Sequence, residues 1–152
     1  MNQLTILAIA FLGGIFLAIQ GGFNAQLAAH LKSPLLAAVV AFSASACLGL
    51  FYLLCSNTPF PAKSSLETIP FYLWFAGAFF SLLGICLYYY TIPILGLGQM
   101  ISLGLCGQLL FSVVASHFGW FELPVQVIDG RRIWGVIAMV VGIVLIHSNE
   151  ML

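Results

Sequence analysis

Residues 35–55 read LLAAVVAFSASACLGLFYLLC, an apolar run without a charged side chain. A helix needs about 20 mostly apolar residues to cross a bilayer, and this run supplies them. Comparable runs lie on both sides of it, and the predicted spans are residues 4–29, 35–55, 71–90, 97–117 and 133–147. Every Asp, Glu, Lys and Arg lies between these runs or beyond them. The sequence therefore predicts an all-α integral membrane protein with five transmembrane helices.

The composition of the 152-residue chain excludes several other classes of protein. Hydrophobic residues make up 62% of it and charged residues 5%, whereas a soluble domain carries about 25% charged residues. With zero net charge and four Lys/Arg, the chain also lacks the basic surface that binding to nucleic acid requires. The chain lacks the alternation of apolar and polar residues that is typical of β-barrel strands. Its backbone hydrogen bonds within lipid must therefore be formed inside helices. We expect residues 1–152 to form a single transmembrane domain.

The charged residues that most often act in catalysis are missing from the predicted spans. No Asp, Glu, Lys or Arg lies within them, which removes the usual general acid–base pair and the usual proton carrier. The four cysteines lie in apolar runs without metal-ligand spacing, and we expect them to pack as small hydrophobic side chains. The sequence therefore predicts no cofactor, no metal and no enzymatic activity.

The segments between the spans carry turn and interface signals. Residues 56–70 contain three prolines and the spacing Ser64-x-x-Glu67, which predict one interfacial helical turn with a capping box. Residues 91–96 predict a tight turn at Pro93. Residues 118–132 mix aromatic and charged side chains, which is typical of a segment at the membrane surface.

The few basic residues predict how the chain is oriented. With five spans, Lys63, Arg131 and Arg132 lie on the same side of the membrane as the N-terminus, and Lys32 lies alone on the other side. The positive-inside rule then places the N-terminus in the cytoplasm and the C-terminus outside. A difference of three basic residues against one is small, so some chains can insert in the opposite orientation.

Uncharged polar residues in the first span are candidates for binding a solute. Gln20 and Asn24 are i,i+4 neighbours on one helix face, beside the pair Gly21 and Gly22, where the helix can kink or unwind. Transporters use such breaks to free backbone carbonyls for binding. The other interpretation is that these two amides only hold helices together.

The fourth span carries a second set of polar residues. Gly104, Gln108, Ser112 and Ser116 follow one another at i,i+4 spacing, and Gln99 lies at the depth of the two amides of the first span. Amides from both spans can converge on one polar patch for a neutral or dipolar ligand. In the third span Tyr88 either stacks on that ligand or belongs to an interfacial aromatic belt. The candidate substrate-binding residues are Gln20, Asn24, Gln99, Gln108, Tyr88 and Ser112.

Three stretches resemble a known family. Residues 18–27, AIQGGFNAQL, resemble the first-helix pattern of a half-size, five-helix family in the drug/metabolite transporter superfamily, which is EamA-like. The sequences GQLLFS at 107–112 and HFG at 117–119 resemble its fourth helix, and Arg132-x-x-Gly135 with Gly142 resembles its last helix. The resemblance implies one half of an EamA-like ten-helix transporter. It also implies an acidic residue just before HFG, where this chain has Ser116.

The leading hypothesis is a half-size transporter in the cell inner membrane. It moves a small polar, zwitterionic or delocalised cationic metabolite or drug by alternating access. The partner that the resemblance implies is an inverted second copy, giving an antiparallel homodimer, or a paired half-size protein. The alternative is a membrane assembly subunit that transports nothing and uses its polar residues only for helix contacts.

Overall fold

The computed structural model describes residues 2–122 and 124–148, with the side chains of the last helix up to residue 146. These residues form helices and connecting segments without a β-strand, so the all-helical prediction is confirmed for this part of the chain. The elements are α1 (Gln3–Leu31), α2 (Pro34–Cys55), α3 (Lys63–Glu67), α4 (Leu73–Leu95), α5 (Leu97–His117), a 3₁₀ turn (Trp120–Glu122) and α6 (Gly130–Ser148).

Four helices in the described part of the chain are long and apolar enough to cross a membrane: α1, α2, α4 and α5. They correspond to the first four predicted spans. The predicted fifth span falls within α6, which begins three residues earlier and places Arg131 and Arg132 in its first turn. The side chain of His147, at the end of that predicted span, lies outside the described residues. The fifth crossing stays a prediction.

Large apolar side chains point outward along the four long helices. Phe11, Phe51 and Phe80 are each about 70% exposed, and at most 11% of the residues in any candidate span are buried within the chain. A soluble protein buries such side chains, because exposing them to water is unfavourable. This pattern indicates a surface that lipid or another membrane protein covers.

The chain divides after Ile94 into two compact units, Met1–Ile94 and Leu95–Leu152. In the first unit, α1 ends where Lys32 adopts the left-handed conformation (φ 51°), which lets its amide reach the carbonyls of Ala28 and Ala29. The Ser33 hydroxyl then accepts a hydrogen bond from the Leu36 amide and caps α2, with Pro34 in the first turn. The two helices pack against each other across this short connection.

A cluster of alanines forms the core of the first unit. Ala37 and Ala38 of α2 are fully buried, and Ala28 of α1 is 3% exposed. Small side chains let helix backbones approach closely in a membrane. Tyr89 of α4, which is 1% exposed, packs against these three alanines and joins the third long helix to the pair.

Two local predictions were wrong. The predicted turn at Pro93 is helical, because α4 continues through Pro93 to Leu95 and the chain breaks at Gly96 instead, where φ is 82°. Helix α3 begins at Lys63 behind Ala62, which offers no side-chain cap, so the predicted capping box at Ser64 does not form. The helical turn itself is present in the predicted segment.

In the second unit, hydrogen bonds tie the connection between α5 and α6 back to the end of α5. The Gln126 amide donates to the Ser116 carbonyl (2.9 Å), and the Ile128 amide donates to Nδ1 of His117 (3.3 Å). The Arg132 guanidinium donates to both the carbonyl and the side-chain oxygen of Gln126. The connection is therefore held at both of its ends.

Gly119 makes the reversal after α5 possible. Its φ of 65° lies in the left-handed region, and a Cβ there would lie 2.9 Å from Cγ2 of Val125. Both the backbone conformation and the space exclude a larger residue.

We predict that Gly119→Ala destabilises the protein by about 1–2 kcal/mol, because an L-residue is strained in the left-handed conformation. The midpoint of thermal unfolding in detergent, followed by circular dichroism, should fall. Gly107→Ala is the control, since Gly107 is helical and has open space at its Cβ position. Equal midpoints for the two variants would contradict the strain at Gly119.

Candidate functional site

Helix α1 carries Gln20 and Asn24 on one continuous stretch of helix. Of the predicted kink or unwinding at Gly21 and Gly22, the unwinding was wrong, because the helix runs unbroken from Gln3 to Leu31. An unwound turn in lipid would leave backbone groups without hydrogen bonds. Gly21 has a packing role instead: it is buried, and a Cβ there would lie 3.8 Å from Cδ1 of Ile92 in α4. The glycine leaves room for the end of the Ile92 side chain against α1.

Tyr89, three residues before Ile92 in α4, has its side chain near the two amides. The Tyr89 hydroxyl is buried and forms no hydrogen bond. The side chains of Asn24 and Gln20 in α1 lie near this hydroxyl. The structure thus brings the two predicted residues of α1 together with a third polar group.

A buried hydroxyl without a hydrogen bond is unfavourable, by about 1–3 kcal/mol. Such groups are rare in folded proteins, and each one needs a physical explanation. The ring of Tyr89 packs against Ala28, Ala37 and Ala38, so burial of the ring itself is favourable. Phenylalanine would keep that packing without the unbonded oxygen. The hydroxyl is therefore the part of the residue that packing does not explain.

The sequence predicts Tyr88 as the tyrosine that contacts a solute, whereas the structure places Tyr89 beside the two amides. Successive residues on a helix point about 100° apart, so only one of Tyr88, Tyr89 and Tyr90 can point directly at the alanine core. Tyr88 is partly buried at the edge of that core, and Tyr90 is 60% exposed. The α4 residues that face the core recur at helical spacing. The opposite face of α4 is equally apolar, so the pattern of apolar residues does not identify the core face. The side chains that face the core are Leu82, Ile85, Cys86, Tyr89 and Ile92.

The other candidate residues lie in the second unit, on α5. Gln99 is half-buried, whereas Gln108 and Ser112 are exposed. The Ser112 hydroxyl donates to the Leu109 carbonyl of its own helix (2.9 Å), and the Ser116 hydroxyl donates to the Val113 carbonyl in the same way. The convergence of α5 residues with Gln20 and Asn24 stays a prediction.

Charged and metal-binding groups play no part in the described geometry around Tyr89. In residues 2–122 and 124–148, no group of three or more His, Cys, Asp or Glu side chains is placed to hold a metal ion. The helices α1 and α4 contain no Asp, Glu, Lys or Arg. Neutral hydrogen-bonding groups are what this part of the first unit offers a ligand.

The first unit thus combines long apolar helices with the uncharged polar groups of Gln20, Asn24 and Tyr89. Residues 5–145 match the model of a family described as "Putative inner membrane exporter, YdcZ", which is part of the drug/metabolite transporter superfamily. The chain belongs to this family.

Membership of the YdcZ family confirms the resemblance to the drug/metabolite transporter superfamily. It supports a transport function, rather than catalysis, and a membrane location for this YdcZ-family chain. No curated protein and no solved structure gives a significant match to it.

We predict that Gly21→Leu separates α1 from α4, because the new side chain would occupy the position of Ile92. Overpacking of this kind destabilises by about 1–3 kcal/mol, and the thermal unfolding midpoint in detergent should fall accordingly. Gly14→Leu is the matched control on the same helix, since nothing lies within 4 Å of its Cβ position. A Gly21→Leu protein as stable as this control would show that α1 and α4 do not pack at Gly21.

Proposed function

We propose that this YdcZ-family chain is a half-size exporter that works by alternating access as an antiparallel dimer in the inner membrane. The observation that carries the proposal is the match to an inner membrane exporter family over residues 5–145. The solute is small and polar, zwitterionic or a delocalised cation, because the polar residues of the long helices are uncharged amides and hydroxyls.

Dimerisation follows from the small size of the helical unit. Four or five spans leave little room for an enclosed path, whereas two inverted copies create the pseudo-symmetric interface used in alternating access. The long helices of this chain expose apolar side chains along their length, which offers surface to a partner as well as to lipid. The partner is a second copy of this chain or a related half-size protein.

The proposed topology has α6 as the fifth crossing, with the N-terminus in the cytoplasm and the C-terminus outside. Lys63, Arg131 and Arg132 then face the cytoplasm. The Arg132 side chain is directed toward Gln126 in the segment before α6, as expected for a charge kept at the membrane boundary.

The solute contacts are assigned to the amides Gln20, Asn24, Gln99 and Gln108, with smaller contributions from Tyr88 and Ser112. Support for the first two comes from their position beside the unbonded hydroxyl of Tyr89. Ser112 is the weakest member, since its hydroxyl already donates to its own helix.

We predict that Asn24→Ala and Gln108→Ala each lower solute efflux by about tenfold or more, because a hydrogen bond to the solute is lost. Efflux is measured from proteoliposomes loaded with radiolabelled mannitol, glycine betaine or tetraphenylphosphonium, which are neutral, zwitterionic and cationic probes. Gln26→Ala is the control, since Gln26 is an exposed amide on α1. Both variants should insert and dimerise normally.

Normal efflux by both variants would refute the site assignment. If wild-type protein moves no probe and the alanine variants lose dimerisation instead, the assembly-subunit alternative is supported.

We further predict that a two-sided topology reporter fused after Leu152 gives signal on both sides of the membrane. Lys32 is the basic residue on the side of the membrane opposite to Lys63, Arg131 and Arg132. Lys32→Gln therefore increases the difference in positive charge between the two sides, and the signal should shift toward the outside. Lys63→Gln should shift it toward the cytoplasm. Signal on one side only in the wild type would rule out a self-sufficient antiparallel homodimer and point to an inverted partner protein.

A further inference from the structure

The Tyr89 hydroxyl lies in the interior of the first unit without a hydrogen bond. Its neighbours Asn24 and Gln20 carry amides that can both donate and accept, and a phenol can do the same. Three such groups side by side form an incomplete hydrogen-bonding set. A ligand with its own donors and acceptors would complete it.

We propose that Tyr89, Asn24 and Gln20 form the hydrogen-bonding part of the solute site, and that this site takes an uncharged solute rich in hydroxyl or amide groups. The inference rests on the proposed transport function and narrows its solute class. Tyr89 contributes its hydroxyl as donor to the solute, a role that the sequence had not assigned to it.

The absence of charge from α1 and α4 favours an uncharged solute. Neither helix contains an Asp, Glu, Lys or Arg that could pair with a solute ion. An ion without a partner is unfavourable in the membrane interior, whereas a neutral polar molecule needs only hydrogen bonds.

The packing of the Tyr89 ring argues against a delocalised cation at this point. A cation binds over the open face of an aromatic ring, within about 6 Å of its centre. The ring of Tyr89 is 1% exposed and packs against Ala28, Ala37 and Ala38. The faces of this buried ring are therefore not open to a cation, and the hydroxyl is the group that can hydrogen-bond a solute.

Helix α4 lacks one backbone hydrogen bond at Tyr89. Pro93 lies four residues after Tyr89 inside α4 and has no amide hydrogen. The Tyr89 carbonyl therefore cannot receive its helical hydrogen bond from residue 93, and α4 bends more easily there. A bend at this point would separate Ile92 from Gly21, which are in contact in the structure, and would uncover the hydroxyl on the side of Asn24 and Gln20.

A native cysteine reports on this opening without a change to the site. Cys86 lies three residues before Tyr89 in α4, and it lines a shallow surface groove with Ser33 and Pro34. A chain with Cys47, Cys55 and Cys106 replaced by Ala keeps Cys86 as its one thiol. The rate of its modification by N-ethylmaleimide is measured in proteoliposomes with mannitol, with tetraphenylphosphonium and without either.

We expect mannitol at about twice its dissociation constant to slow modification of Cys86 about threefold, because two thirds of the sites are then occupied. Tyr89→Phe should weaken mannitol protection about tenfold in concentration, through the loss of one hydrogen bond. Tyr90→Phe makes the same chemical change at an exposed position and should leave protection unchanged. A chain that keeps only Cys55, which is exposed at the end of α2, should show no protection.

Thermal unfolding separates binding from a structural role. Tyr89→Phe removes an unbonded buried oxygen, so its unfolding midpoint should equal or exceed that of the parent. Four results would overturn the proposal: no protection by mannitol, protection by tetraphenylphosphonium instead, unchanged protection in Tyr89→Phe, or a lowered midpoint in that variant.

Failure of the proposed function gives a different result. If mannitol protects Cys86 but reconstituted protein does not release loaded mannitol, the site stands and transport is refuted. If tetraphenylphosphonium is exported while mannitol has no effect at Cys86, transport stands and the inferred solute class is refuted.

Discussion

The contact between Tyr89 and three alanines holds the first unit together. Ala28 of α1 and Ala37 and Ala38 of α2 form a buried cluster, and Tyr89 brings α4 against them. In water, burial of apolar area would drive this packing, but lipid is as apolar as the side chains. Close fit between small residues and one ring must therefore supply the attraction. The position of every polar group near Tyr89 depends on this fit.

Hydrogen bonding within lipid is the second constraint, and several hydroxyl side chains of the long helices meet it locally. The hydroxyls of Thr91, Ser112 and Ser116 donate to carbonyls of their own helices, and α1 stays helical through Gly21 and Gly22. Against this background the unbonded hydroxyl of Tyr89 stands out. It combines a local energetic defect with a position beside two amides, and this combination distinguishes it from an ordinary core tyrosine.

The sequence predicted the long helices closely, because an apolar run bounded by charged or turn residues leaves little choice in a membrane. It failed at Pro93, where proline was read as a turn although α4 continues past it. It also failed to identify Tyr89 rather than Tyr88. A helix in lipid is apolar on every side, so its hydropathy does not reveal which face packs against the other helices. The pairing of Gln20 with Asn24 needed only helical spacing, whereas their contact with Tyr89 depends on tertiary packing.

The segment before α6 shows how a charge can be kept at the edge of a membrane. Arg132 donates to the carbonyl and the side-chain amide of Gln126, and both of these acceptors are neutral. The Asp129 side chain accepts from the Arg132 backbone amide (2.9 Å) rather than from its guanidinium. Neutral acceptors replace part of the solvation shell of the guanidinium without cancelling its charge. In the proposed topology, where α6 is the fifth crossing, these neutral acceptors would accompany Arg132 into the headgroup region and leave its positive charge to act on the orientation of the chain.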